Sequence, residues 1–161
     1  MDEIYQFKCL TDLRAYITKC DFKARPIKPG KHPMLYPDDD QSINKNILGI
    51  RLMDYQFSED LQWILPHDQK SLSFAGTWYR LSRTYKMFNR GGVKSPDIYW
   101  VLSVVDLPLG LKFEPDRSPG SSAKGHFFLT VTEKMYVEAL RKKLLWIADR
   151  MSKITAGGRV L

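Results

Sequence analysis

Two periodicities meet near the C-terminal end of the chain, and together they limit what it can fold into. His126-Phe127-Phe128-Leu129-Thr130-Val131 alternates, so a strand here turns His126, Phe128 and Thr130 to one face and Phe127, Leu129 and Val131 to the other. From about Glu133 to Met151 the spacing becomes helical, with Tyr136 or Val137, Leu140, Leu144, Ile147 and Met151 in one apolar stripe. Thr132 is placed to cap that helix, with Glu133 at its positive end. A strand feeding a long amphipathic helix needs other elements against which to bury both apolar faces.

The rest of the chain supplies them. Ile98–Val105 is almost wholly apolar and predicts a strand covered on both faces. Gly76–Ser82 alternates, with Trp78, Arg80 and Ser82 against Thr77, Tyr79 and Leu81, and reads as a further strand. Ile4–Leu10 reads as a strand, Thr11–Cys20 as a short helix, and Ile47–Phe57 as a strand pair or extended segment. Ser58–Leu65 fits a turn and a half of helix ended by Pro66. Residues 25–46 hold four prolines and the triplet Asp38-Asp39-Asp40, and predict a long irregular loop of the kind that often carries function. Three consecutive aspartates point in different directions, so a solvated turn is expected there rather than a metal site. The expected architecture is α+β: a twisted, mostly antiparallel sheet of six or seven strands with one dominant C-terminal helix. Residues 1–161 are expected to form a single domain.

Composition excludes several classes. A hydrophobic share of 43 % with 12 % aromatics is too high for a disordered chain. No run approaches the ~20 apolar residues that span a bilayer, so no membrane partner is expected. The opening MDEIYQFK has neither a basic n-region nor an apolar h-region. Cys9 and Cys20 are expected to be reduced thiols in a cytoplasm, and His32, His67 and His126 show no ligand spacing, so no metal is expected. The formal charge is +7. From Arg117 onward nine basic side chains face three acidic ones, which gathers the surplus on the last helix and its flanks. Such a face suits an acidic partner, a nucleic acid or nucleotide phosphates.

The stretch DLPLGLKFEPDRSPGSSAKGHFFLTVTEKMYVEAL (106–140) carries a family resemblance. Its GLKF-E-P-D strand, Ser/Gly loop, GHFFLT and KMYVEALRKKL resemble the C-terminal half of a type VI secretion cytotoxin family, and MFNRGGVKSPDIYWVLSVVD is similar to the segment that precedes it. The likeness covers roughly Thr84 to Leu144. It implies an ADP-ribosyltransferase-like fold, with twisted sheets around a nucleotide cleft. It also implies NAD as substrate, action in the cytoplasm of a target bacterium reached without a signal peptide, and a cognate immunity protein. Tyr5-Gln6-Phe7 stands where such enzymes usually place an Arg or His.

Breaking the nicotinamide–ribose bond builds positive charge on the ribose, and needs the dinucleotide held bent with polar groups at the ribose hydroxyls. Against that requirement, His126 and Arg80 are the catalytic candidates, His126 beside a Ser/Gly loop and Arg80 as a planar phosphate clamp. Ser82, Thr84, Tyr85 and Arg90, the last beside Gly91-Gly92, are the candidates for holding the cofactor. Glu114 and Glu133 lie outside any Glu/Gln-x-Glu pair and are not assigned. GxSxG, HExxH, P-loop and GxGxxG motifs are absent. Two other classes stay open. One is a basic toxin acting on RNA or DNA, a nuclease or phosphotransferase with His126 as acid–base. The other is a non-enzymatic module for an acidic partner.

Overall fold

The computed structural model describes residues 10–17, 19–37, 45–88, 97–102 and 107–155. Along the chain run α1 (Leu10–Tyr16), β1 (Phe22–Ile27), β2 (Asn46–Ile47), β3 (Ile50–Arg51), β4 (Gln56–Phe57), β5 (Trp63–Leu65) and β6 (Leu72–Ala75). They are followed by α2 (Trp78–Phe88), β7 (Asp97–Leu102), β8 (Leu111–Pro115), β9 (His126–Val131), β10 (Met135–Tyr136), α3 (Val137–Arg150) and β11 (Ser152–Thr155). Six strands form one antiparallel sheet in the order β11-β7-β1-β6-β9-β8. A small sheet, β10-β5-β4, and the β2-β3 hairpin lie beside it. The fold is α+β, and every strand pairing among the described residues is antiparallel.

Each face of the main sheet has its own apolar cluster. Leu72, Phe74, Val101, Leu129 and Val131 lie under Val137, Leu140, Leu144 and Ile147 of α3. Those four stripe residues, at roughly 1.5–3 kcal/mol each on burial, outweigh the modest intrinsic stability of a helix this short. On the opposite face Phe22, Ala24, Ala75, Ile98, Trp100 and Ile154 pack with Leu13 and Ile17 and with Leu81 and Tyr85 of α2.

Several local expectations are corrected. Gly76–Ser82 is not a strand: Trp78 opens α2. The Thr77 Oγ1 accepts a hydrogen bond from the Arg80 amide (3.2 Å) and caps the helix. Trp78, Leu81 and Tyr85 then recur at helical spacing, a period that a seven-residue window cannot tell from alternation. Ser58–Leu65 is not helical. The Asp60 carboxylate accepts from the Ser58 hydroxyl (2.6 Å) and the Gln62 amide (3.1 Å), which makes a turn, and Trp63–Leu65 continue as β5. Residues 25–27 belong to β1 rather than to the loop. Thr132 does not cap α3: the helix starts at Val137, whose amide donates to the Gln62 carbonyl (3.1 Å). Residues 4–9, Asp38–Asp40 and residues 103–105 lie outside the described residues.

Candidate functional site

The β1 and β6 strands share one registered pair, Ala24 with Ala75. Beyond it Pro26, with no N–H to offer, is a poor continuation of the ladder. A cavity of about 230 Å³ opens there, lined from β6 by both Leu72 and Phe74 of one face and Ser73 and Ala75 of the other. Its lining thus draws on both faces of β6. Arg25 enters it from β1, Arg80 and Thr84 from one face of α2, and His126 from the first position of β9.

His126 is buried, 9 % exposed, and held at both edges of its ring. Its Nδ1 lies 2.7 Å from Asp116 Oδ2. An ionised carboxylate only accepts, so Nδ1 carries a proton toward Asp116, and in the neutral form of the ring the lone pair is on Nε2. The Phe128 ring packs edge-on at 4.8 Å and fixes the tilt. Nε2 is shut from solvent and has no partner in the protein. The hairpin makes this pair: Pro115 is registered with Phe127, and the Asp116 amide donates to the His126 carbonyl (2.9 Å). Burial alone would raise the Asp116 carboxyl, but hydrogen bonds from His126 and Ser118 outweigh it and hold the group below the ordinary carboxylate range.

Opposite stand the arginines. Arg25 keeps some exposure as a residue, yet its Nε and Nη1 are enclosed without hydrogen-bond partners. Its guanidinium lies 5.4 Å from the Phe74 ring centroid, with the Tyr36 hydroxyl in hydrogen-bonding reach and Asp54 near enough to act through space. Burial lowers the pKa of Arg25 from the ordinary arginine value, though a guanidinium stays charged throughout the working pH range. Asp54 is already taken: Arg51 grips it with Nε (3.2 Å) and Nη2 (2.9 Å) while stacking over Tyr36 at 4.7 Å. Burial and the nearby Arg83 lower the pKa of Arg80, and Asp116 partly offsets both. The cavity thus sets Arg25, Arg51 and Arg80 against a single lining carboxylate, Asp54. Such a site attracts anions, phosphate groups among them.

The structure brings His126, Arg80 and Thr84 to one cavity. Ser82 and Tyr85 are not with them. The Ser82 hydroxyl donates to the Tyr79 carbonyl (3.0 Å) on another side of α2. Tyr85 is fully buried against the sheet, because one residue along a helix turns the side chain by about a quarter turn from Thr84. Arg90 lies outside the described residues. Glu114 is paired with Lys112 (2.5 Å) and lines no cavity wall here. Sequence reasoning missed Arg25, Asp54 and Asp116, though the FEPD-to-HFF hairpin was a usable signal for the last. A wider depression over Pro66–Asp68 and Lys112 has none of the unmatched buried nitrogens in its lining.

No helix among the described residues is long and apolar enough to cross a membrane, and no cluster among them offers three or more His, Cys, Asp or Glu ligands for a metal ion. No family model, curated protein or solved structure matches the chain.

Proposed function

We propose that this chain is an ADP-ribosyltransferase-like toxin domain that cleaves NAD, by transfer to an acceptor or to water, inside a bacterial cytoplasm. A cognate immunity protein would neutralise it. One observation carries the reading: an imidazole oriented by Asp116 lines the same anion-attracting cavity as Arg25 and Arg80.

The chemistry follows from those atoms. Arg25 and Arg80 take the pyrophosphate oxygens, a geometry that suits planar forks. His126 Nε2, as an acceptor, receives a hydrogen bond from a ribose hydroxyl and raises electron density on the sugar. As the C1′–N bond breaks, its electron pair leaves with neutral nicotinamide and the ribose becomes oxocarbenium-like. Water or another nucleophile then bonds to C1′ and gives its proton to Nε2. No glutamate lines the cavity, so the contact with the sugar falls to the imidazole.

The test is direct. Purified protein incubated with intact NAD is expected to release nicotinamide, and His126→Ala to lower the rate at least about a hundredfold, the usual scale for a positioned acid–base group. Expression in a bacterium should arrest growth in parallel. Folded protein that releases no nicotinamide, or His126→Ala protein that releases it as fast, would overturn the reading.

A further inference from the structure

A second cavity, about 410 Å³, shares Arg25, Pro26, Tyr36 and Arg51 with the first. We propose that it binds single-stranded nucleic acid, with the phosphates on its rim and a base on its floor.

The rim is built rather than merely basic. Lys28-Pro29-Gly30-Lys31 is a tight turn: the Lys31 amide donates to the Lys28 carbonyl (3.1 Å), and Gly30 has φ 78°. Pro at the second position and a left-handed Gly at the third are what a type II turn needs. The turn holds two exposed lysines at a set separation. His32 is locked beside them, its Nδ1 accepting from the Met34 (3.1 Å) and Leu35 (3.0 Å) amides, so its free edge is an N–H donor. The lining contains no carboxylate, and the acid that acts on His32, Asp149, stands outside it.

Charge alone would suit any polyanion, and the floor narrows the choice. Ile27, Met34 and Leu35 give an apolar surface, and Tyr36 adds an aromatic ring already stacked by Arg51. Cationic rim, apolar floor and aromatic platform together match a nucleotide, whose base needs the last two and whose phosphate needs the first. The concavity has room for a nucleotide rather than a duplex. A strand lying there would run past Arg25 toward His126. It would be held equally well as an ADP-ribose acceptor or as a substrate for cleavage, so the inference stands apart from the NAD reading.

The experiment uses the whole chain and no dinucleotide. A labelled single-stranded RNA octamer is titrated at low and moderate salt, followed by fluorescence anisotropy. Binding is expected, and Lys28→Glu with Lys31→Glu should weaken it roughly tenfold or more. The slope of log affinity against log salt should fall by roughly 0.7 for each phosphate that the variant no longer neutralises. Lys28→Gln with Lys31→Gln should show a smaller loss in the same direction, and an unchanged melting temperature shows that the turn variants are folded. Lys142→Glu with Lys143→Glu, on α3 and outside the cavity lining, should leave binding near wild type. Absence of binding at low salt, loss from the α3 variant alone, or equal competition by poly-glutamate would each overturn the proposal. Because no dinucleotide is present, such a result leaves the NAD reading standing.

Discussion

At His126 a single hydrogen bond decides what the ring can do. With Nδ1 committed to Asp116 at 2.7 Å, Nε2 of the neutral ring is left as an acceptor without a partner in the protein. Truncation to Ala also strips Asp116 of a partner in a half-dry site. It should therefore cost about 1–3 kcal/mol, several degrees of melting temperature for a chain this long, as well as activity. Arg25 poses the opposite balance. Two enclosed nitrogens without partners weaken the fold while suiting an anion, so Arg25→Met should keep or raise the melting temperature and abolish nucleotide binding. Calorimetry with and without NAD checks both halves. A marked fall in stability would mean that Arg25 serves the fold instead.

At the scale of elements, the site depends on how closely α2 follows β6. The Gly76 amide donates to the Gly125 carbonyl (2.9 Å), bringing the entrance of α2 against the start of β9. A Cβ on Gly76 would stand 2.5 Å from Phe127 Cε1 and 2.8 Å from Cδ1. Neither atom can retreat cheaply, because Phe127 is packed against the core under α3. Gly76→Ala should cost about 1–3 kcal/mol and shift Arg80 away from His126, with nicotinamide release falling further than stability explains. Denaturant titration beside the rate measurement tests this, and unchanged values in both would refute the close contact. Gly125, at φ 73° with the Thr77 side chain pressed against it, guards the same junction.

For the whole molecule, charge sets the response to pH. Burial holds the His32 pKa below its ordinary 6.5, so the unfolded chain takes up a proton there before the folded one does. Stability should be full above that value and decline as pH falls through it. Asp116 adds a second, lower window: its contribution is present above the ordinary carboxyl value of 3.8 and is lost as pH drops through its depressed folded value. Unfolding midpoints from pH 8 downward should fall in those two steps, and His32→Asn should remove the upper one. A wild-type midpoint that does not change across the upper window would show that the ring is as free as in the unfolded chain.

The strand at His126–Val131, the apolar stripe of α3 and the α+β class were legible because each rests on a period that neighbouring residues repeat. His126, Arg80 and Thr84 were legible as candidates, and the structure gathers them at one cavity, even though Gly76–Ser82 reads as a strand and folds as the entrance to a helix. Arg25 was hidden in a proline-rich segment that reads as loop until β7 pairs with it from Phe22↔Leu102 to Ile27↔Asp97. Asp116 lies ten positions before His126, and it is the register of the hairpin between FEPD and HFF that sets the two across from each other. Local periodicity records which face a residue takes, because that is decided within a few residues. Which faces then meet is decided by strand pairing across tens of residues, and the cavity exists only where one such pairing, at Ala24 and Ala75, stops.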